Sequence, residues 1–114
     1  MVVEPLKMLE TRPGAYSLLL DAGSTAVDEV AEELGHEPNG YFWEGVAALL
    51  VATEAPDLEG RFKYDPEGGM FVAYGTDLPA LERLGGLMSL VANDADRLRR
   101  LVALADERGY EFDD

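Results

Sequence analysis

The chain has 114 residues, 47% of them hydrophobic, and its 23 acidic and nine basic side chains give a formal net charge of −14 at pH 7. This length and apolar content are typical of a single globular domain, here residues 1–114, and not of a disordered acidic tail. The absence of cysteine excludes disulfide bonds, thiol nucleophiles and cysteine-bound zinc, and His36, the only histidine, excludes a histidine pair as metal ligands.

The N-terminal sequence and the apolar runs bear on cellular location. Residues 1–5 contain neither a basic region nor a long apolar stretch, so no signal peptide is indicated. The longest unbroken apolar run, at 46–52, is far shorter than the roughly 20 residues that a membrane-spanning helix needs. The sequence therefore predicts a soluble, cytoplasmic protein.

The acidic residues are spread along the whole chain. Residues 1–38 carry eight acidic and two basic side chains, residues 39–76 carry six and two, and residues 77–114 carry nine and five. Such a surface repels phosphate backbones and anionic lipids, so we expect neither nucleic-acid nor membrane binding. It favours association with a basic protein surface, although solubility alone also explains an acidic composition.

Hydrophobic periodicity and turn residues predict eight elements of secondary structure. In chain order these are strands at 6–9 and 15–21, helices at 25–34 and 41–54, strands at 60–65 and 70–74, a helix that starts after 77 and extends to about 91, and a helix at 94–108. The predicted fold class is therefore α+β. Two β-hairpins form a mainly antiparallel sheet that packs against about four α-helices, in the order ββααββαα.

Local signals support individual elements. Thr25 and Asp28 have the spacing of a capping box at the start of the first helix. Asn39 is a suitable N-cap for the second helix, which is apolar on nearly all sides and is predicted to be central and buried. The strand at 70–74 is predicted to be buried on both sides. The glycine pair at 85–86 predicts the close approach of another backbone or a kink.

No motif in the sequence demands an enzyme. The serines have only His36 as a candidate base, and none lies in a Gly-x-Ser-x-Gly elbow. There is no phosphate-binding loop, and the segment 65–69 lacks the alternating ligands of a calcium site. His36 follows the helix-ending Gly35, where a cation complements the helix dipole, so a capping role is favoured over a catalytic one. We therefore predict no enzymatic activity, no cofactor and no bound metal.

Three consecutive aromatic residues, Tyr41, Phe42 and Trp43, occupy the start of the second helix. Successive residues lie about 100° apart around a helix axis, so at least one of the three rings is expected to be partly exposed. Beside Glu37 and Glu44, an exposed ring would form a recognition patch of the kind that protein interfaces concentrate. The alternative is that Phe42 and Trp43 anchor the core while Tyr41 packs under the preceding turn.

The segment Gly-Tyr-Phe-Trp-Glu-Gly at 40–45 and the segment Tyr-Asp-Pro-Glu-Gly-Gly-Met-Phe at 64–71 resemble the immunity protein 51 family of bacterial polymorphic toxin systems. The similarity extends over nearly the whole chain and is most specific at 39–45. It implies a small α+β protein without enzymatic activity that binds a cognate secreted toxin and protects the producing cell and its kin. It carries over no catalytic residues.

The resemblance and the charge together predict a partner-binding surface with an aromatic anchor. The candidate partner-binding residues are Glu37, Asn39, Tyr41, Trp43, Glu44, Asp65 and Glu67. All but Glu37 match the family motif, as does Gly40, and each matching position serves either the fold or partner contact. The expected partner is a basic toxin domain, with a nuclease as the class that the charge favours. Carboxylates would then stand in for phosphates, and the complex would occlude the active site or substrate path of the toxin.

Other classes of function stay open on the sequence alone. A small-molecule or peptide-binding module would use Trp43, Tyr64 and Tyr74 to line a pocket between the sheet and the second helix. In an acidic structural domain all the aromatic rings would belong to the core, and an enzyme with paired carboxylates is the remaining alternative. The exposure of the aromatic side chains distinguishes these hypotheses. The oligomeric state, the strand order and the identity of the toxin are not predicted.

Overall fold

The computed structural model describes residues 4–112, which form a four-stranded sheet and four α-helices. The elements are, in chain order, β1 (Lys7–Arg12), β2 (Ala15–Asp21), α1 (Asp28–Glu33), α2 (Gly40–Glu54), a 3₁₀ turn (Pro56–Leu58), β3 (Lys63–Tyr64), β4 (Met70–Gly75), α3 (Leu78–Ala92) and α4 (Ala95–Arg108). The predicted α+β class and the order ββααββαα are confirmed.

The sheet has the strand order β1-β2-β4-β3, and every neighbouring pair is antiparallel. The two hairpins are therefore joined through β2 and β4, with Leu18 opposite Ala73 and Leu20 opposite Phe71. These four side chains have no exposed surface. Because α2 contacts β4 and α3 contacts both β2 and β4, the core lies between this face of the sheet and the helices.

The central element of the core is α2. Nine of its 15 residues are buried, and it contacts β4, α3 and α4. A helix that is apolar on nearly all sides is stable when neighbouring elements cover most of its surface. The prediction of a central, buried second helix is confirmed.

Asn39 caps α2 as its position in the sequence predicts. Its backbone is extended, and its side-chain oxygen accepts a hydrogen bond of 2.9 Å from the N–H of Phe42. We expect Asn39→Ala to lower the free energy of unfolding by about 1 kcal/mol, because a backbone N–H in the first turn loses its acceptor. Urea denaturation measures the difference. Asn39→Ser keeps a capping oxygen and should lose much less, so an equal loss in both variants would contradict the capping role.

Two elements are shorter than predicted. The first helix covers Asp28–Glu33, whereas the predicted helix covered 25–34. The Thr25 hydroxyl donates to the carboxylate of Asp28 at 2.5 Å, so this pair closes a turn that precedes α1 and is not the capping box that the spacing suggests. The third strand is limited to Lys63–Tyr64, whereas the predicted strand covered 60–65. Gly60 adopts a φ of +79°, which interrupts the extended conformation at the start of that segment.

The helices of the described region cover one face of the sheet and leave the other accessible. The prediction that the strand at 70–74 is buried on both sides is wrong. Phe71 is fully buried, whereas Val72 is half-buried and Tyr74 is 41% exposed on the opposite face. Leu9 of β1 lies on the same face as Tyr74 and is 53% exposed. We call this accessible side of the sheet the open face.

The bounds of α3 and α4 agree with the predicted helices to about one residue, except that Asp94, predicted as the first residue of the last helix, is its N-cap. Asp77 and Asp94 cap α3 and α4 with their carboxylates, and α4 ends at Gly109, which has a φ of +68°. The glycine pair at 85–86 lies within α3. At Gly86 an added Cβ would meet no atom within 4 Å, so a close approach of another backbone does not explain a glycine there.

Candidate protein-binding surface

The two segments that carry the family resemblance meet in the structure. The N–H of Gly40, the first residue of α2, donates to the carbonyl of Gly68 in the β3–β4 hairpin at 3.1 Å. The next residue of the hairpin, Gly69, accepts a hydrogen bond of 3.0 Å from the N–H of Ala22, which follows β2. The hairpin end is therefore held between the start of α2 and the end of β2.

Gly40 is the closest contact between these segments. A Cβ placed on it would overlap the carbonyl oxygens of Glu67 and Met70, so only glycine allows the two backbones to approach in this way. Glu67 and Met70 are joined by two backbone hydrogen bonds of 2.7 and 3.2 Å. These two hydrogen bonds close the end of the hairpin. The lack of a side chain at Gly40 determines how closely α2 can approach it.

Gly45, one turn and a half further along α2, has a similar steric role. A Cβ at this position would overlap the ring of Phe112 near the C-terminus. That ring packs 5.0 Å from the ring of Phe42 and 4.9 Å from the ring of His36. His36, for which the sequence favours a capping role, therefore belongs to an aromatic cluster that ties the residues after α4 to the start of α2.

One of the three consecutive aromatic rings is exposed, in agreement with helix geometry. Tyr41 is 40% exposed, whereas Phe42 and Trp43 have no exposed surface. Within the described residues, the buried indole N–H of Trp43 also has no hydrogen-bond acceptor. The Trp43 ring fills the core and is not accessible to a partner in this fold, which leaves Tyr41 as the candidate aromatic anchor.

Glu44 lies one helical turn after Tyr41 and is half-buried. Burial raises the pKa of the Tyr64 phenol above its ordinary value, and the negative charges of Glu59 and then Glu44 raise it further. Glu44 is thus close enough to Tyr64 to act on it electrostatically. Glu44 therefore lies at the border of the exposed surface, between the start of α2 and the half-buried ring of Tyr64.

Asp65 lies on a different side of the molecule. The side chain of the preceding residue, Tyr64, is paired with the buried Ala73 on the helix-covered face, so the alternation of the strand directs Asp65 to the open face. There it lines a groove together with Lys63 and Tyr74. No sequence motif marks this groove, although the period-two alternation of β4 already separates Tyr74 from Phe71.

The structure therefore separates the seven candidate residues by position. Asn39 caps α2, Trp43 lies in the core, Glu44 lies at the border, Asp65 lies on the open face, and Glu37, Tyr41 and Glu67 are exposed around the contact between α2 and the hairpin. We call the last three side chains the tip surface. Partner contact by any of the seven stays a prediction.

The alternative of an aromatic pocket between the sheet and α2 does not fit this arrangement. Trp43 is fully buried and Tyr64 is on the helix-covered face, whereas Tyr74 is on the open face. The three rings therefore do not line a common cavity. Across residues 4–112, no group of three or more histidine or carboxylate side chains is placed to hold a metal ion. In the same region no helix combines the length and apolarity of a membrane span.

The family model described as Immunity protein 51 matches residues 6–107 of the 114-residue chain. The matched range starts just before β1 and ends one residue before the end of α4, so it contains the tip surface and both hydrogen bonds that hold the hairpin end. The resemblance inferred from the segments at 40–45 and 64–71 is confirmed. No curated protein and no solved structure matches the chain.

Proposed function

Because the chain belongs to the Immunity protein 51 family, we propose that it binds a cognate bacterial toxin through the tip surface and thereby blocks the toxin. The observation that supports this site is the exposure of the Tyr41 ring at the start of a buried helix, where the backbone of α2 contacts that of Glu67. Glu37, which precedes the helix, and Glu67 are also exposed. Protein interfaces concentrate aromatic anchors of this kind at their centres, with charged groups around them.

The charge of the chain supports a basic partner. With a net charge of −14, the protein attracts a basic surface and raises the rate of encounter with it. A nuclease toxin presents basic side chains where it binds phosphates, and the carboxylates of the tip surface would occupy those side chains. The bound immunity protein would then cover the active site or the path of the substrate.

The rigidity of the tip surface favours tight binding. Tyr41 lies in the first turn of α2, which Asn39 caps, and Gly40 holds this turn against the hairpin that carries Glu67. Groups that are already ordered in the free protein lose little conformational entropy when they bind. The three exposed side chains are therefore presented on a preformed backbone.

Co-expression tests the proposed function. The protein and the toxin encoded immediately upstream of it are produced together in a sensitive bacterium, and survival and co-purification are measured. We expect survival and a stable complex with the unaltered protein. Death of the cells at normal levels of folded immunity protein, without co-purification, would contradict the proposal.

Charge reversal at the tip surface tests the electrostatic part of the mechanism. We expect Glu67→Lys to weaken toxin binding about tenfold, mainly through a slower association rate, because an attractive carboxylate becomes a repulsive ammonium group. Surface plasmon resonance at two salt concentrations measures the rates. Glu54→Lys is the matched control, since Glu54 is exposed at the far end of α2, about 20 Å along the helix from Tyr41. Equal losses in both variants would mean that net charge alone matters and would contradict a role for the tip.

A further inference from the structure

The open face of the sheet carries a groove that the tip surface does not use. The strand register places two rows of side chains across this face, Lys7-Leu19-Val72 and Leu9-Ser17-Tyr74-Lys63. The groove has a volume of about 690 Å³, which is within the range of known ligand sites. Its floor is formed by rigid strands, whose side chains are held in position by the ladder of the sheet.

Apolar surface is concentrated on this face. Leu9 and Tyr74 are 53% and 41% exposed and lie in the same row, separated only by Ser17. In the neighbouring row, Leu19 and Val72 are half-buried side by side. Contiguous exposed apolar side chains on a folded protein mark interaction sites.

The charge of the groove is opposite to the charge of the protein. Arg12, Arg61 and Lys63 line it, against the single carboxylate of Asp65. Arg61 is engaged in an ion pair of 3.0 Å with Asp77. In the described part of the chain, Arg12 and Lys63 have no carboxylate within ion-pair distance. The groove is thus a locally positive and partly apolar concavity on a chain with a net charge of −14.

We propose that this groove binds an extended, acidic segment of a partner protein. Arg12 and Lys63 line the groove and are available for carboxylates. Tyr74, which also lines the groove, and Leu9, which lies outside the lining on the same face, are available for the apolar side chains that alternate with carboxylates in an extended peptide. Acidic residues elsewhere on the protein act weakly on such a short segment, because salt screens exposed charges over about 8 Å.

A nucleic acid is a less suitable occupant. A long polyanion would extend beyond the groove onto the acidic remainder of the surface, where it is repelled. Single-stranded nucleic acids also need several exposed rings for stacking, whereas Tyr74 is exposed and the other aromatic residues of the groove lining, Tyr16 and Phe62, are half-buried. The inference does not require the partner to be the toxin, so it can fail or succeed independently of the proposed function.

A synthetic peptide provides the test. The probe is a capped five-residue peptide of alternating glutamate and leucine, about 17 Å long when extended, titrated into the full-length ¹⁵N-labelled protein. We expect saturable chemical-shift changes at Leu9, Ser17, Tyr74 and Lys63, and no saturable change with a peptide in which lysine replaces glutamate. Absence of saturable binding, shift changes confined to other surfaces, or equally tight binding of the oligonucleotide dT10 would overturn the inference.

Variants of the groove complete the test. We expect Lys63→Glu to weaken the glutamate peptide at least fivefold, and Arg108→Glu, at an exposed position at the end of α4, to change its affinity less than twofold. Tyr74→Ser, which removes an exposed ring, should also weaken binding if Lys63→Glu proves poorly folded by circular dichroism. Equal effects of the Lys63 and Arg108 variants would overturn the inference. Sedimentation that shows a dimer disrupted by Lys63→Glu would assign the face to a second copy of the chain and overturn it as well.

Discussion

Gly40→Ala is expected to lower the free energy of unfolding by about 3 kcal/mol. The added methyl group would overlap the carbonyl oxygens of Glu67 and Met70, which belong to backbone and cannot rotate away as a flexible side chain can. Relief of the overlap requires α2 and the hairpin to separate, and the hydrogen bond from Gly40 to Gly68 then lengthens or breaks. Urea denaturation followed by circular dichroism measures the loss.

Gly86→Ala is the matched control for this prediction. Gly86 lies in α3, where an added Cβ would meet no atom within 4 Å, and the same methyl group should raise stability by about 0.5–1 kcal/mol through helix propensity. Opposite signs at the two glycines are therefore expected. A loss below about 1 kcal/mol for Gly40→Ala would show that the hairpin yields easily, and that the tip surface is less rigid than proposed.

Tyr41→Ala is expected to weaken toxin binding about 30-fold, which corresponds to about 2 kcal/mol. The Tyr41 ring is the large exposed aromatic side chain beside the hairpin end, and its removal takes away the apolar centre of the proposed interface. Stability should fall by about 1–2 kcal/mol, because the part of the ring that is not exposed packs against the fold, so the variant is shown to be folded by circular dichroism before its affinity is compared. Isothermal titration calorimetry with the toxin measures the affinity.

Leu90→Ala is the control for the loss of exposed apolar surface. Leu90 is 49% exposed on α3 and lies outside the tip surface, so its removal should leave toxin affinity within a factor of two. Tyr41→Phe keeps the ring and should retain most of the affinity if the ring itself supplies the contact. Unchanged affinity in Tyr41→Ala would remove Tyr41 as the anchor while leaving the immunity role intact.

Part of the candidate site follows from local sequence and part does not. The cap at Asn39 and the exposure of one ring among three consecutive aromatic residues depend on helix geometry alone, so both were predictable. Which ring is exposed depends on what packs against α2. The reason for Gly40 was also hidden, because the backbone that it contacts lies nearly 30 residues later in the chain.

The open face of the sheet is a second feature that could not be predicted from the sequence. Successive side chains of β4 point to opposite faces of the sheet, and both sets of side chains are apolar. The sequence pattern therefore does not show whether one face of this strand is covered or both are. The structure decides this through the placement of the helices on the side of Phe71. Tyr74 and Val72 then lie with Leu9 on the accessible side, where the basic groove forms.

The amino-acid sequence on its own determined the order of the elements, the α+β class, the central position of α2 and the ends of α3 and α4. Each of these follows from side-chain periodicity or from caps and glycines within a few residues of the position concerned. Only the tertiary structure decided the pairing of β2 with β4, the contact between α2 and the hairpin, and the face of the sheet that stays accessible. These depend on contacts between residues far apart in the chain, and the geometry of such contacts is settled by the packing of whole elements against one another.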